Sequence, residues 1–92
     1  MGTNVPIVQS NGIYSVVETP DRQTFSVVFD RPSTAGMAKV AVPPGSYWVN
    51  MRGQGFDYDQ RLDITDGTFK YPGGLDTIDL MLIPPNAVKP IR

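Results

Sequence analysis

Cysteine and histidine are both missing from this 92-residue sequence. Without cysteine there is no disulfide and no thiolate metal site, so apolar packing must hold the fold unless neighbouring subunits add buried surface. Without either residue, the two commonest sources of a base or nucleophile near neutral pH are gone. An excess of charge is lacking too: eight Lys and Arg stand against nine Asp and Glu, for a net charge of −1. The sequence pI is about 5.0. That balance omits the basic footprint of a protein that grips phosphates, so nucleic acid is not an expected partner. No apolar run approaches the ~18 residues of a membrane span, and Met1–Pro6 has neither the basic nor the apolar region of a secretory signal. The chain as written is therefore expected to carry no signal peptide and no transmembrane segment. Gly2 would suit myristoylation, but Pro6 stands where that motif needs Ser or Thr.

Long helical windows are also scarce. Nine Pro and nine Gly are spread over the whole length, leaving little room for an average helix of ~11 residues. What remains is a series of short β-branched and aromatic runs closed by Gly, Pro or Asx. Val5-Pro6-Ile7-Val8-Gln9 reads as an extended arm or an edge strand, because Pro6 cannot donate to a central ladder, and Ser10-Asn11-Gly12 marks a turn. Ile13–Glu18 and Thr24–Asp30 flank Thr19-Pro20-Asp21-Arg22, with Pro20 preset for a type I turn, and are predicted to pair as an antiparallel hairpin. Within the second run Phe25, Val27 and Phe29 share one face.

Asp30–Gly36 reads as a loop leading into Met37–Val42. That run and Tyr47–Met51 are predicted to form a central hairpin around Pro43-Pro44-Gly45. In its second arm Tyr47, Val49 and Met51 share one side and Ser46, Trp48 and Asn50 the other, and either side could be core. Gly53–Gln60 reads as a surface excursion without a consistent period. Arg61–Ile64 and Thr68–Tyr71 are expected to answer each other across Thr65-Asp66-Gly67. Thr77–Ile83, with Ile78, Leu80 and Leu82 on one face, reads as the last core strand. Pro84-Pro85 ends it and opens a Pro-rich tail. The expectation is one all-β domain over residues 1–92, a small antiparallel sandwich or barrel of six to eight short strands, with extended arms at 1–9 and 84–92.

Carboxylate pairs are what remains for catalysis, Asp57 with Asp59 or Asp63 with Asp66. The glycosidase chemistry they suggest needs a cleft that raises one carboxyl pKa, which a thin β-domain hardly encloses. A pairing of Ser33 with Lys39 is a weaker candidate. The reading is therefore non-enzymatic, with no cofactor expected. Asp57-Tyr58-Asp59 lacks the spaced ligands, central Gly and terminal Glu of a Ca²⁺ loop, so no metal site is assigned. Charge is distributed unevenly: residues 57–79 hold six Asp against Arg61 and Lys70, a balance of −4, and the remainder sums to +3. An acidic stretch of one copy could then meet Arg22, Arg31 or Arg52 of another.

The residues singled out for interaction are Tyr47, Trp48, Phe56 and Tyr58, whose rings near Asn50, Gln54 and Asp57 also suit a sugar, together with Pro6, Pro84, Pro85 and Ile91 of the arms. Extended Pro-rich arms order at low entropic cost and can add to another sheet's edge.

Pro43-Pro44-Gly45-Ser46-Tyr47 with the following Val49 resembles the Pro-Gly-x-Tyr hairpins of immunoglobulin-like and transthyretin-like sandwiches, over those few residues only. A cysteine-free β-module with Pro-rich ends is also similar to the decoration or cement proteins on the outside of viral capsids. That analogy implies protein partners in a larger assembly such as a virion, and a homo-oligomer. The alternative expectation is a small carbohydrate-binding domain.

Overall fold

The structure, a computed structural model, describes residues 5–7 (backbone only), 13–21, 23–39 and 42–84. Eight strands and no helix make up these residues: β1 (Val5–Ile7), β2 (Tyr14–Glu18), β3 (Thr24–Phe29), β4 (Gly36–Lys39), β5 (Gly45–Gly53), β6 (Phe56–Ile64), β7 (Thr68–Tyr71) and β8 (Leu75–Leu82). Six of them form one antiparallel sheet in the order β1-β2-β3-β8-β5-β6, and β4 and β7 form a second, two-stranded sheet.

The β2–β3 hairpin forms as its local pattern predicts, with Tyr14 opposite Phe29 and Val16 opposite Val27. Its turn is fixed by side chains as well as by Pro20. Thr19 Oγ1 donates to Asp21 Oδ1 at 2.6 Å, and Asp21 Oδ1 accepts from the Gln23 amide at 3.0 Å. β8 then lies between β3 and β5, which sets Val27, Ile78 and Met51 in one row and Phe25, Leu80 and Val49 in the next. All six of these side chains are buried. Because side chains alternate along a strand, this one parity defines the inner face of the sheet.

The small sheet covers that face. Phe29 on β3 meets Tyr71 on β7 at 5.6 Å between ring centroids and Tyr14 on β2 at 5.9 Å, and Phe69 meets Tyr71 at 6.2 Å. Ala38, Phe69 and Tyr71 thereby join a single apolar cluster with the large sheet. Each fully buried apolar side chain contributes roughly 1.5–3 kcal/mol. The result is an unequal sandwich, open at the β1 and β6 edges among the described residues.

Three expectations need correction. The Pro43-Pro44-Gly45 turn does not close a hairpin: β4 pairs with β7, and β5 has β6 on one side and β8 on the other. Two successive residues without an N–H cannot complete a ladder, so the chain uses this segment to pass from one sheet to the other. Likewise β7 does not answer β6 within one sheet. Phe69 and Tyr71 bury themselves by folding over the inner face onto Phe29, whereas extending the sheet edge would leave them in water.

The third correction is the largest. Gly53–Gln60 is no excursion, because Phe56 begins a nine-residue strand paired with β5 from Gly53↔Phe56 to Gly45↔Ile64. The turn is only Gln54-Gly55, with Gly55 at φ +69°, a conformation that favours glycine. Gly53 is needed for another reason. A Cβ there would sit 2.1 Å from the Gly74 carbonyl oxygen, so β5 and the start of β8 approach closely only because it has none.

Val5–Ile7 is an edge strand on β2, as the Pro6 argument requires. The turn at Ser10–Gly12, residues 1–4, 8–9 and 85–92 of the arms, Arg22, and Val40 and Ala41 of the predicted Met37–Val42 run lie outside the described residues.

Candidate interaction face

Inner parity belongs to Tyr47, Val49 and Met51, which leaves Ser46, Trp48, Asn50 and Arg52 on the outer side of β5. Their neighbours across the strands are fixed by register. Trp48 lies opposite Met81 of β8 and Arg61 of β6, Asn50 opposite Asp79 and Asp59, and Met81 opposite Thr24.

Polar side chains on this outer surface bond from strand to strand across β3, β8, β5 and β6. Ser26 Oγ on β3 donates to Asp79 Oδ1 on β8 at 2.7 Å, and Arg52 Nη2 on β5 donates to Asp79 Oδ2 at 2.5 Å. Asn50 Nδ2 donates to Asp57 Oδ1 and Asp59 Oδ1 of β6 at 2.8 and 2.7 Å. Ser46 Oγ donates to Asp63 Oδ1 at 2.7 Å, with Arg61 Nε 3.9 Å from the same oxygen. Such bonds between exposed groups add little stability individually, but together they hold a polar surface in one arrangement.

Within that surface a shallow cleft of about 300 Å³ runs beside Trp48. Phe25, Leu80 and Met81 form part of its floor, and Thr24, Ser26, Asn50 and Asp79 supply polar groups. Trp48 is half-buried. The cleft thus sets an aromatic ring among hydroxyl, amide and carboxylate groups. A second cleft of about 440 Å³ lies at the end of the sandwich, between Gln23, Pro44, Ser46, Leu82 and Pro84.

The predicted interaction residues are not brought together. Tyr47 is a core residue with no exposed surface, so the expectation that its ring meets a partner is corrected. Its hydroxyl donates to the Pro43 carbonyl at 2.6 Å, and burial pushes its pKa up to about 12. Trp48 alone of the four rings faces outward from the middle of the sheet. Phe56 and Tyr58 have inner parity but sit at the β6 edge, 5.9 Å apart, with Tyr58 47% exposed. Pro6 lies in β1 opposite Val17. Pro84 is exposed just after β8 and lines the second cleft, while Pro85 and Ile91 fall outside the described residues.

The carboxylates considered for chemistry are also placed. Asp57 and Asp59 share the Asn50 amide. Asp66 caps its own turn through the Thr68 hydroxyl and amide, and those bonds hold its carboxyl below the usual range. Ser33 Oγ accepts from the Leu75 amide at 2.8 Å and pins the 30–35 loop to the start of β8. Arg52 and Arg31 pair within the chain, with Asp79 and Asp30, and both guanidinium groups remain partly exposed. Among the described residues no three of His, Cys, Asp and Glu group as metal ligands, and no helix is long and apolar enough to cross a membrane.

Sequence reasoning missed Ser26, Met81 and Asp79 as members of one surface. Their outward parity is legible in β3 and β8, but the adjacency of two segments 53 residues apart is not. Comparison with protein-family models, with curated proteins and with solved structures returns no match.

Proposed function

We propose that this chain is a non-enzymatic interaction module, a small subunit that docks on or links the subunits of a larger assembly. The outer face of its six-stranded sheet is the contact surface. One observation carries this reading: Trp48 and Met81 stand together on the side of the sheet that the small β4–β7 layer does not cover. A ring and a thioether on the uncovered side of a sheet, beside hydrogen-bonded polar side chains, are typical of contact surfaces. The missing His and Cys agree with it, since contact needs neither. A capsid exterior is one assembly of the right kind, by analogy of size and composition alone.

The test compares what the wild-type chain and a Trp48→Ala variant retain from the source material. Retention of a defined partner by the wild type and its loss in the variant, with both proteins folded, supports docking through this face. Equal retention, or turnover of a substrate abolished by one carboxylate replacement, overturns it.

A second reading is favoured by the cleft itself. Trp48 flanked by Ser26, Asn50 and Asp79 offers a sugar a flat ring and polar groups. On a glycan array, binding that disappears in Trp48→Ala supports a carbohydrate ligand, and silence across broad sugar classes removes it.

A further inference from the structure

Among the described residues β6 is a long edge strand. Its nine residues bond to β5 on one side and to no strand on the other among the described residues. Strands average about five to six residues, and natural edges are blunted by Pro, bulges or shortness. β6 has none of these, since its register with β5 runs unbroken from Phe56 to Ile64. Its charges do not block the edge either, because Asp57, Asp59, Arg61 and Asp63 all project onto the outer face.

We propose that two copies of this chain join along β6, antiparallel, about a two-fold axis passing between Gln60 of one copy and Gln60 of the other. The inference rests on the reading of the chain as a contact-making module and names one partner, a second copy.

The register follows from symmetry and from pairing the whole strand, and it is supported by charge at its centre. A two-fold axis perpendicular to a sheet keeps inner faces on one side, so one residue must lie opposite its own symmetry mate. Only with Gln60 at the axis do all nine residues pair. That arrangement sets Asp59 opposite Arg61 of the second copy, and Arg61 opposite the second copy's Asp59. On the inner side it sets Tyr58 opposite Leu62 and Phe56 opposite Ile64, twice each. Tyr58, 47% exposed in the single chain, would gain an apolar neighbour. The adjacent registers pair less of the strand. An axis at Asp59 sets Asp57 opposite Arg61 but faces Asp59 with its own mate and leaves Asp63 and Ile64 without β6 partners, and an axis at Arg61 sets Arg61 against Arg61 and Asp59 against Asp63 and leaves Phe56 and Asp57 unpaired. The chosen register does oppose Asp57 to Asp63 at its ends, where Asn50 and Ser46 already donate to those carboxylates.

Because the chain has no cysteine, Gln60→Cys introduces a single thiol. Directly opposite residues of an antiparallel pair lie ~4.5–5.5 Å apart between Cα atoms, within the ~4.4–6.8 Å range of a disulfide. Asp57→Cys is the control, since residue 57 and its mate would be six residues apart along the strands, ~20 Å at ~3.4 Å per residue.

Light scattering on the wild-type chain is expected to give twice the 10.1 kDa chain mass. Oxidation is expected to link Gln60→Cys into a dimer and to leave Asp57→Cys unlinked. Arg61→Asp should weaken association at least tenfold, and adding Asp59→Arg should restore it. A monomer at every accessible concentration, equal linkage at 57 and 60, or no rescue by the charge swap overturns the proposal. A monomeric chain would still leave docking through the Trp48 face standing, because that face needs no second copy.

Discussion

The two faces of the six-stranded sheet are built from the same strands and do opposite things. On the inner face Val27, Ile78 and Met51 form one row and Phe25, Leu80 and Val49 the next, all closed off from water. On the outer face the corresponding rows hold Ser26, Asp79, Asn50 and Asp59, then Thr24, Met81, Trp48 and Arg61. The inner rows are held by burial, which is not directional and scales with apolar area. The outer side is tied by directional bonds, Ser26 and Arg52 donating to Asp79 across β3, β8 and β5, and Asn50 donating to Asp57 and Asp59 across β5 and β6. Stability therefore concentrates on one side of the sheet, which leaves the other side free to be shaped for contact.

The comparison breaks most sharply at Phe25. Phe25→Ala removes a buried ring that packs edge-on against Tyr47 at 6.1 Å. It should cost ~3–5 kcal/mol in urea unfolding. Gly53→Ala should follow at roughly 1–3 kcal/mol, because the added methyl meets the Gly74 carbonyl and the backbones must separate. Tyr47→Phe keeps the ring but leaves the Pro43 carbonyl without its donor, an expected loss of about 1 kcal/mol by thermal denaturation. Asp79→Asn, on the outer face, removes the exposed pair with Arg52 and should cost no more than ~1 kcal/mol. An outer-face effect as large as that of Phe25→Ala would erase the distinction between the faces.

A pH titration sharpens the same contrast from the side of ionisation. Tyr47 is neutral when buried, and its folded pKa of about 12 lies above the unfolded value of 10.0. Its contribution is therefore complete below pH 10 and is lost as the pH rises from 10 towards 12. Stability against unfolding, followed by circular dichroism, should fall through that alkaline window, and less so in Tyr47→Phe. Asp21 and Asp66, both exposed, have carboxyls lowered from 3.8 by hydrogen bonds from the Thr19 and Thr68 hydroxyls. Their smaller contribution is present above pH 3.8 and fades as the pH falls through their depressed values.

How much of this was legible beforehand depends on how local the information is. Phe25, Val27 and Phe29 alternate beside a Pro20 turn, so both the β2–β3 hairpin and its core face can be read directly. Ile78, Leu80 and Leu82 mark β8 in the same way. Phe56-Asp57-Tyr58-Asp59-Gln60-Arg61-Leu62-Asp63-Ile64 alternates except at Gln60, a polar residue on the inner parity, and that break, with the two glycines before Phe56, hides the period in the stretch from Gly53 to Gln60. A two-residue turn needs only one of them at positive φ, Gly55. The β4–β7 pairing has no local signature, since Ala38 and Phe69 meet only because both must cover the inner face. Side-chain parity in β5 was readable, but not which parity is buried. That is decided by β8 and the small sheet, and it separates Tyr47 from Trp48, the one ring of the candidate site left facing outward.

Trp48 is the single tryptophan of the chain, so labelling this subunit alone with fluorotryptophan gives one ¹⁹F resonance at the centre of the outer face. Spectra of the free chain and of the chain bound in the assembly proposed for it test the division between the faces most directly. The account predicts a solvent-sensitive resonance in the free chain that shifts and loses that sensitivity on assembly. An identical resonance in both states would contradict it.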